Sequence, residues 1–236
     1  ASMTNARGEL MKVRQYTGVY GSESIYVDSD YRYDALGNLV LVEQRQADNG
    51  SATPALSSSA MTYDVLGRKR AMTDADMGAW SYGYDAAGNL VWQKDANGKK
   101  LCFTYDILDR VQVRYQDTTP ADGCPAAPAS GVTHLATYTY DTAPYGKGLP
   151  ATVSWGPTPT QNKDTFTYDN LIRMTKQTRL IDGRSYTLET TSFDPLHRPL
   201  TVKYPSGEVV TYAYDREGEN RLWAGAALLV DNVTYN

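Results

Sequence analysis

The sequence predicts an all-β protein, a tandem array of antiparallel β-hairpins forming one long curved sheet. Three observations carry that expectation. A Tyr-Asp pair recurs along the chain and acts as a repeat marker. Half of the markers run into an Asp-x-x-Gly turn, and further Asp/Asn/Gly/Ser clusters cut the chain into pieces too short for long helices. The composition is lopsided, with 19 Tyr against 3 Phe and 4 Trp; Tyr, Thr and Val suit a pleated, half-buried surface.

Residues 1–15 read as a lead-in, of which 1–3 look tag-derived, and residues 16–236 as an array of about eight units. The markers are Tyr33-Asp34, Tyr63-Asp64, Tyr84-Asp85, Tyr105-Asp106, Tyr140-Asp141, Tyr168-Asp169, Phe193-Asp194 and Tyr214-Asp215, with Tyr235-Asn236 at the end. Successive spacings are 30, 21, 21, 35, 28, 25, 21 and 21 residues, so 21 is the basic period. The longer intervals hold Ser/Ala/Pro/Gly-rich stretches at 48–59 and 117–131, expected as loops grafted onto the unit.

The unit from Tyr84 to Thr104 shows the expected mechanics. In Asp85-Ala86-Ala87-Gly88 the carboxylate accepts from a backbone N–H two residues on, and Gly88 supplies a positive φ. Gly37, Gly67 and Gly218 take the same place in their turns. Asn97-Gly98 is a dipeptide favoured in two-residue hairpins, so residues 90–95 should pair with 99–106. Before each marker the residues alternate, as in Trp80/Tyr82/Tyr84, Leu101/Phe103/Tyr105 and Val210/Tyr212/Tyr214, which predicts an aromatic ladder on one face. A single hairpin is marginal in water, so neighbours must complete the sheet. The chain stops within its next marker, and the expectation is a segment of a longer repeat protein whose sheet edges favour self-association.

The runs Tyr33-Asp-Ala-Leu-Gly-Asn-Leu39, Tyr63-Asp-Val-Leu-Gly-Arg68, Tyr84-Asp-Ala-Ala-Gly-Asn-Leu90 and Tyr214-Asp-Arg-Glu-Gly-Glu-Asn-Arg-Leu222 resemble the YD repeats of bacterial Rhs proteins. Such repeats are shared with the C components of insecticidal toxin complexes, wall-associated proteins and teneurins. The resemblance runs from about residue 16 to the end. Asp109 and Ile172 stand where the turn Gly belongs, Tyr145-Gly146-Lys147-Gly148 lengthens one turn, and Phe193 with Pro195 alters another; these units are expected to be locally irregular. The resemblance implies a spiralling strip that builds a hollow shell around a C-terminal toxin, in a secreted or bacterial cell-surface polymorphic toxin. Its partners would be the rest of its own polypeptide and the enclosed toxin. Autoproteolysis is not carried over, because Asp194-Pro195 is followed by Leu196-His197 and lacks the Gly of the family's Asp-Pro-x-Gly motif.

Charge and residue chemistry exclude other classes. A balance of 23 basic against 27 acidic residues gives a net charge of −4, so there is no basic field for nucleic acid. The longest apolar run, residues 222–230, is well short of the roughly 20 residues of a membrane-spanning helix. His134 and His197 have no Cys or His at ligand spacing. Asp74-Ala-Asp76-Met-Gly78 resembles a calcium loop, but its Gly comes one place early, and a turn is the simpler reading. The marker Asp residues are plural where an active site is singular, so no enzyme and no cofactor is expected. Cys102 and Cys124 form either a disulfide or two free buried thiols; bridged, they would close a loop worth about 3.4 kcal/mol in the chain-entropy treatment. The alternative function is a carbohydrate-binding or adhesion repeat that uses exposed aromatics to stack on sugar rings.

Overall fold

Strand follows strand, with no helix among the described residues, because a turn-forming cluster arrives before any run is long enough to coil. The computed structural model describes residues 1–16, 25–48, 51–119, 123–125, 132–157, 162–214, 219–224 and 227–230. Asp215, Gly218 and the Tyr235 marker lie outside the described residues.

The chain divides into two compact units, residues 1–102 with 116–131 and residues 103–115 with 132–236. The first holds β1 (Ser2–Thr4), β2 (Leu10–Tyr16), β3 (Ile25–Tyr33), β4 (Leu39–Asp48), β5 (Ser51–Tyr63), β6 (Lys69–Asp74), β7 (Gly78–Tyr84) and β8 (Leu90–Lys94). Strands β9 (Lys100–Tyr105) and β10 (Val111–Asp117) contribute to both. The second continues with β11 (Val132–Tyr140), β12 (Pro150–Trp155), β13 (Asn162–Tyr168), β14 (Met174–Ile181), β15 (Arg184–Phe193), β16 (Pro199–Lys203), β17 (Val209–Tyr214), β18 (Glu219–Ala224) and β19 (Ala227–Val230). These 19 strands belong to one antiparallel sheet, and within each unit sequence neighbours pair, as in Tyr31↔Val42 and Phe166↔Gln177. The ladder slips by one residue just before most markers, between Arg32 and Tyr33, Thr62 and Tyr63, Gly83 and Tyr84, and Thr167 and Tyr168. Each slip is a bulge that lets the turn close.

Three expectations change. Residues 51–59, expected as loop, are strand: β5 pairs with β4 from Asp48↔Ser51 to Leu41↔Ala60, so this stretch lengthens a hairpin. Its Ser-rich sequence has little strand preference of its own; cross-strand pairing with β4 supplies it. Asn97-Gly98 does not form a two-residue hairpin loop. Asp95 Oδ1 accepts from the N–H groups of Asn97 and Lys99, and Gly98 N–H bonds the Asp95 carbonyl, so this turn copies the marker turns. Finally, the units at Asp109 and Ile172 are regular, since these residues take φ of 60° and 64° and close the same bonds as Gly.

The core is thin and partly polar, as a single sheet allows. In the first unit Lys100, Cys102 and Asp117 are fully buried. In the second, Ala136, Ala151, Val202 and Val210 are buried, as is the charged Asp164. The carboxylate of Asp164 is held by Arg179 at 2.8 and 2.7 Å, and that of Asp28 by Arg14 at 2.7 and 2.8 Å. Both charges are therefore paired, as burial demands. The leucines of the marker turns remain outside. Leu36, Val65 and Leu66 are exposed in the first unit, and Ile107, Leu108, Leu171 and Leu196 in the second, with Ile107 at 99%.

Candidate functional site

The recurring chemistry sits at the marker turns. In five of them the Asp Oδ1 accepts from the backbone N–H groups two and four residues on: Leu36 and Asn38 for Asp34, Leu66 and Arg68 for Asp64, Leu108 and Arg110 for Asp106, Leu171 and Arg173 for Asp169, Leu196 and Arg198 for Asp194; in the lengthened turn Asp141 accepts from Gly148 N–H instead. Asp85 bonds the N–H of Asn89 in the same way. The second carboxylate oxygen takes the side chain four residues on. That partner is Asn38 or Asn89 in two turns and an arginine in four, at 2.6–2.7 Å from Nε to Asp64, Asp106, Asp169 and Asp194.

Those arginines reach further. Arg68, Arg110, Arg173 and Arg198 lie over the marker rings of the following unit, Tyr84, Tyr140, Phe193 and Tyr214, at 4.8, 4.3, 4.1 and 4.3 Å from the ring centres. Each guanidinium is thus fixed by its own Asp and set against the face of the neighbour's ring, a cation–π geometry. Arg110 also forks onto Asp141. The marker hydroxyls tie the units in the opposite sense. Tyr33, Tyr63, Tyr84, Tyr140, Tyr168 and Tyr214 donate to the carbonyls of Leu10, Leu39, Lys69, Val111, Pro150 and Pro199, each beyond the preceding turn, at 2.7–3.1 Å.

At the marker positions guanidinium and ring alternate from unit to unit. Tyr16 and Tyr26 make an edge-on ring contact with centres 6.0 Å apart. The signal was present in the sequence as Arg or Asn four places after six of the eight marker Asp residues, but the meaning of the arginines depends on a ring 16–30 residues away.

Electrostatics follow the geometry. The Asn38 side-chain amide holds Asp34 below the usual carboxylate range, the Arg68 backbone N–H does so for Asp64, and the Arg173 guanidinium for Asp169. For Asp85, Asp106 and Asp194, burial pushes upward, and the bonds from Asn89, Arg110 and Arg198 outweigh it. Arg110 brings Asp141 down to about 2. Burial raises the hydroxyls of Tyr63, Tyr84, Tyr140 and Tyr168, keeping them protonated donors.

The remaining candidates have local partners. His134 bridges Gly156 O and Thr137 Oγ1, both at 2.8 Å, and His197 takes the positive-φ place of a marker turn. Asp74 receives the N–H groups of Asp76 and Met77 as a turn cap and also bonds Ser59. Tyr105 ends β9 and opens the Asp106 turn. Cys102 and Cys124 are joined in a disulfide with Cα atoms 6.0 Å apart. Among the described residues no group of three or more His, Cys, Asp or Glu is placed to hold a metal ion.

The RHS Repeat family matches residues 63–100, from the Tyr63 marker through the Asp95 turn. No curated protein matches the chain. Among solved structures, TcdB2-TccC3 without its hypervariable C-terminal region matches the whole chain with a TM-score of 0.73 at 15% identity. The Photorhabdus luminescens Tc holotoxin pore matches likewise, with a TM-score of 0.71 at 14% identity. The chain spans 12% of either of those chains. With the marker turns on each side of residues 63–100 repeating the same bonds, the chain carries YD/RHS repeats.

Proposed function

We propose that the chain is a structural, non-enzymatic wall segment of an Rhs-type shell that encloses a C-terminal toxin in a secreted or surface-displayed polymorphic toxin. The observation that carries this reading is the full-length likeness of its fold to a strip of TcdB2-TccC3. Two features support it. The Asp–Arg–ring clasp recurs at turn after turn, as expected where every hairpin must grip the next rather than frame one active centre. Apolar side chains of the marker turns are also exposed in each unit, and further wall would remove them from water.

In this role the backbone ladder makes the sheet continuous. The Asp turns fix hairpin length, and the Arg–ring and Tyr–carbonyl contacts set the step between hairpins. The test is limited proteolysis of the polypeptide as its gene encodes it. Enclosure predicts that the segment C-terminal to the repeats resists protease while the shell is intact and is digested once the shell is opened by denaturant. Digestion of that segment at the same rate in both states would overturn the reading. Saturable binding to a glycan array, lost on replacing exposed tyrosines, would instead establish the carbohydrate-binding alternative.

A further inference from the structure

We propose that Tyr204 and Tyr212 form an oxidative coupling site, at which a one-electron oxidant joins the two rings as dityrosine and staples the β16–β17 hairpin. Their hydroxyls lie 2.9 Å apart and share a hydrogen bond. Both residues are half-buried, so neither ring is sealed from solvent. Tyr204 also lines a surface cavity of about 200 Å³, roomy for a small oxidant when one water takes up roughly 30 Å³.

The pair arises from a departure in the turn chemistry. The turn from Tyr204 to Glu208 closes with the same backbone bonds as the turn at Asp95. Tyr204 N–H bonds the Glu208 carbonyl and Gly207 N–H bonds the Tyr204 carbonyl, as Asp95 N–H bonds Lys99 O and Gly98 N–H bonds Asp95 O. Asp95 then caps its turn through Oδ1, which accepts from Asn97 and Lys99. A tyrosine in that place has no carboxylate to offer. Glu208 N–H meets Ser206 Oγ at 3.3 Å instead, and the Tyr204 side chain reaches Tyr212 on β17.

Other tyrosines are placed differently. The hydroxyls of Tyr63, Tyr84, Tyr140 and Tyr168 donate to backbone carbonyls. Tyr16 and Tyr26 touch edge-on, and the Arg14 guanidinium lies 3.8 Å from the centre of the Tyr26 ring. A cation at that distance raises the cost of removing an electron from the ring.

In the coupling each phenol gives up one electron and one proton and becomes a neutral phenoxyl radical, its unpaired electron shared between the oxygen and the ortho carbons. Hydrogen peroxide, acting through a haem peroxidase, takes the two electrons and two protons and leaves as two waters. One ortho carbon of each ring then forms the new C–C bond, and the hydrogen on each of those carbons moves to its own oxygen. Both phenols are restored, and the product is lighter by two hydrogens. The hydroxyl contact directs this outcome. Each ortho carbon is bonded to the carbon that bears the oxygen, and once one ring is oxidised the remaining O–H can hold its radical oxygen, so coupling within the chain outruns coupling between chains. The site stands on this geometry and does not depend on the shell reading.

The test treats the protein, dilute enough that copies seldom meet, with a haem peroxidase and hydrogen peroxide, and collects the monomer by size exclusion. Dityrosine fluorescence in that fraction reports coupling. Mass spectrometry after cleavage at Glu208, which separates the two tyrosines in sequence, reports its place. In coupled protein the two fragments should stay joined, at two hydrogen masses below their sum. Tyr204→Phe and Tyr212→Phe should each reduce the joined pair to the level seen without peroxide, with far-UV circular dichroism unchanged, whereas Tyr16→Phe should leave it intact. A joined pair that persists in Tyr204→Phe overturns the proposal. So does coupling mapped to Tyr16 and Tyr26 in place of this pair, or monomer that carries no dityrosine.

Discussion

Two kinds of marker turn share one geometry and differ in what secures it. At Gly37, Gly67 and Gly88 the positive φ falls on glycine, where it costs little. At Asp109, Ile172 and His197 the same conformation falls on residues with a Cβ, at φ of 60–65°. Ile172 is the extreme, a β-branched side chain in a region that costs about 1–2 kcal/mol. All three residues are followed by an arginine that grips the turn Asp and covers the next marker ring. Of the glycine turns, two are followed by an asparagine whose side-chain amide donates to its own turn Asp. Strain of this kind persists where the surroundings over-determine the backbone. The Arg clasp therefore does two jobs: it couples hairpins, and it frees the turn from needing glycine.

The largest expected effect comes from imposing strain where no Arg follows. Gly88→Val, at φ 99° with Asn89 next in sequence, should lose about 2 kcal/mol and lower Tm by roughly 4–8 °C for a protein of this size. A smaller loss than that of an exposed Ser→Ala change would break the comparison. Relieving strain is the converse experiment, and Ile172→Gly should gain about 1 kcal/mol, raising Tm by roughly 2–4 °C. An unchanged or lowered Tm would show that Ile172 is held by contacts rather than tolerated.

Tyr84→Phe turns a hydroxyl-bearing marker into one of the Phe193 kind. It should cost about 1 kcal/mol for the lost bond to Lys69 O, read as a shift in urea midpoint. Arg173→Ala should lower Tm more than Asn38→Ala, since the arginine adds an ion pair to its turn Asp and lies over the ring of Phe193. The smallest effects are in pH. The marker carboxylates are held below their ordinary range near 4, so their contribution is complete above that value and declines as pH falls through their lowered folded values, near 2 for Asp141. Stability measured from pH 6 to 2 should fall progressively, and replacing Asp141 by Asn should flatten the lower end of that curve.

Much of this was legible in sequence. The Tyr-Asp markers, the Asp turn caps and the antiparallel order follow from period and turn chemistry, because each concerns residues within a few positions of one another. The role of Arg68, Arg110, Arg173 and Arg198 was not, because it needs a ring from the next unit. Tyr33 and its counterparts were read as packing surface; their carbonyl partners 15–29 residues back give no sequence signal. The Ser-rich 51–59 stretch was read as loop because local preference says so, whereas β4 pairs it into a strand. The Lys100–Asp117 pair was also missed, since nothing in either residue's neighbourhood announces burial.

The most direct test of the wall assignment is electron microscopy of the polypeptide as its gene encodes it, with an antibody fragment marking an epitope engineered at the exposed Ile107–Leu108 turn. A hollow particle carrying the marker on its wall, with density for a C-terminal segment inside, is the result expected. A solid or extended particle, or a C-terminal segment lying outside, would contradict it.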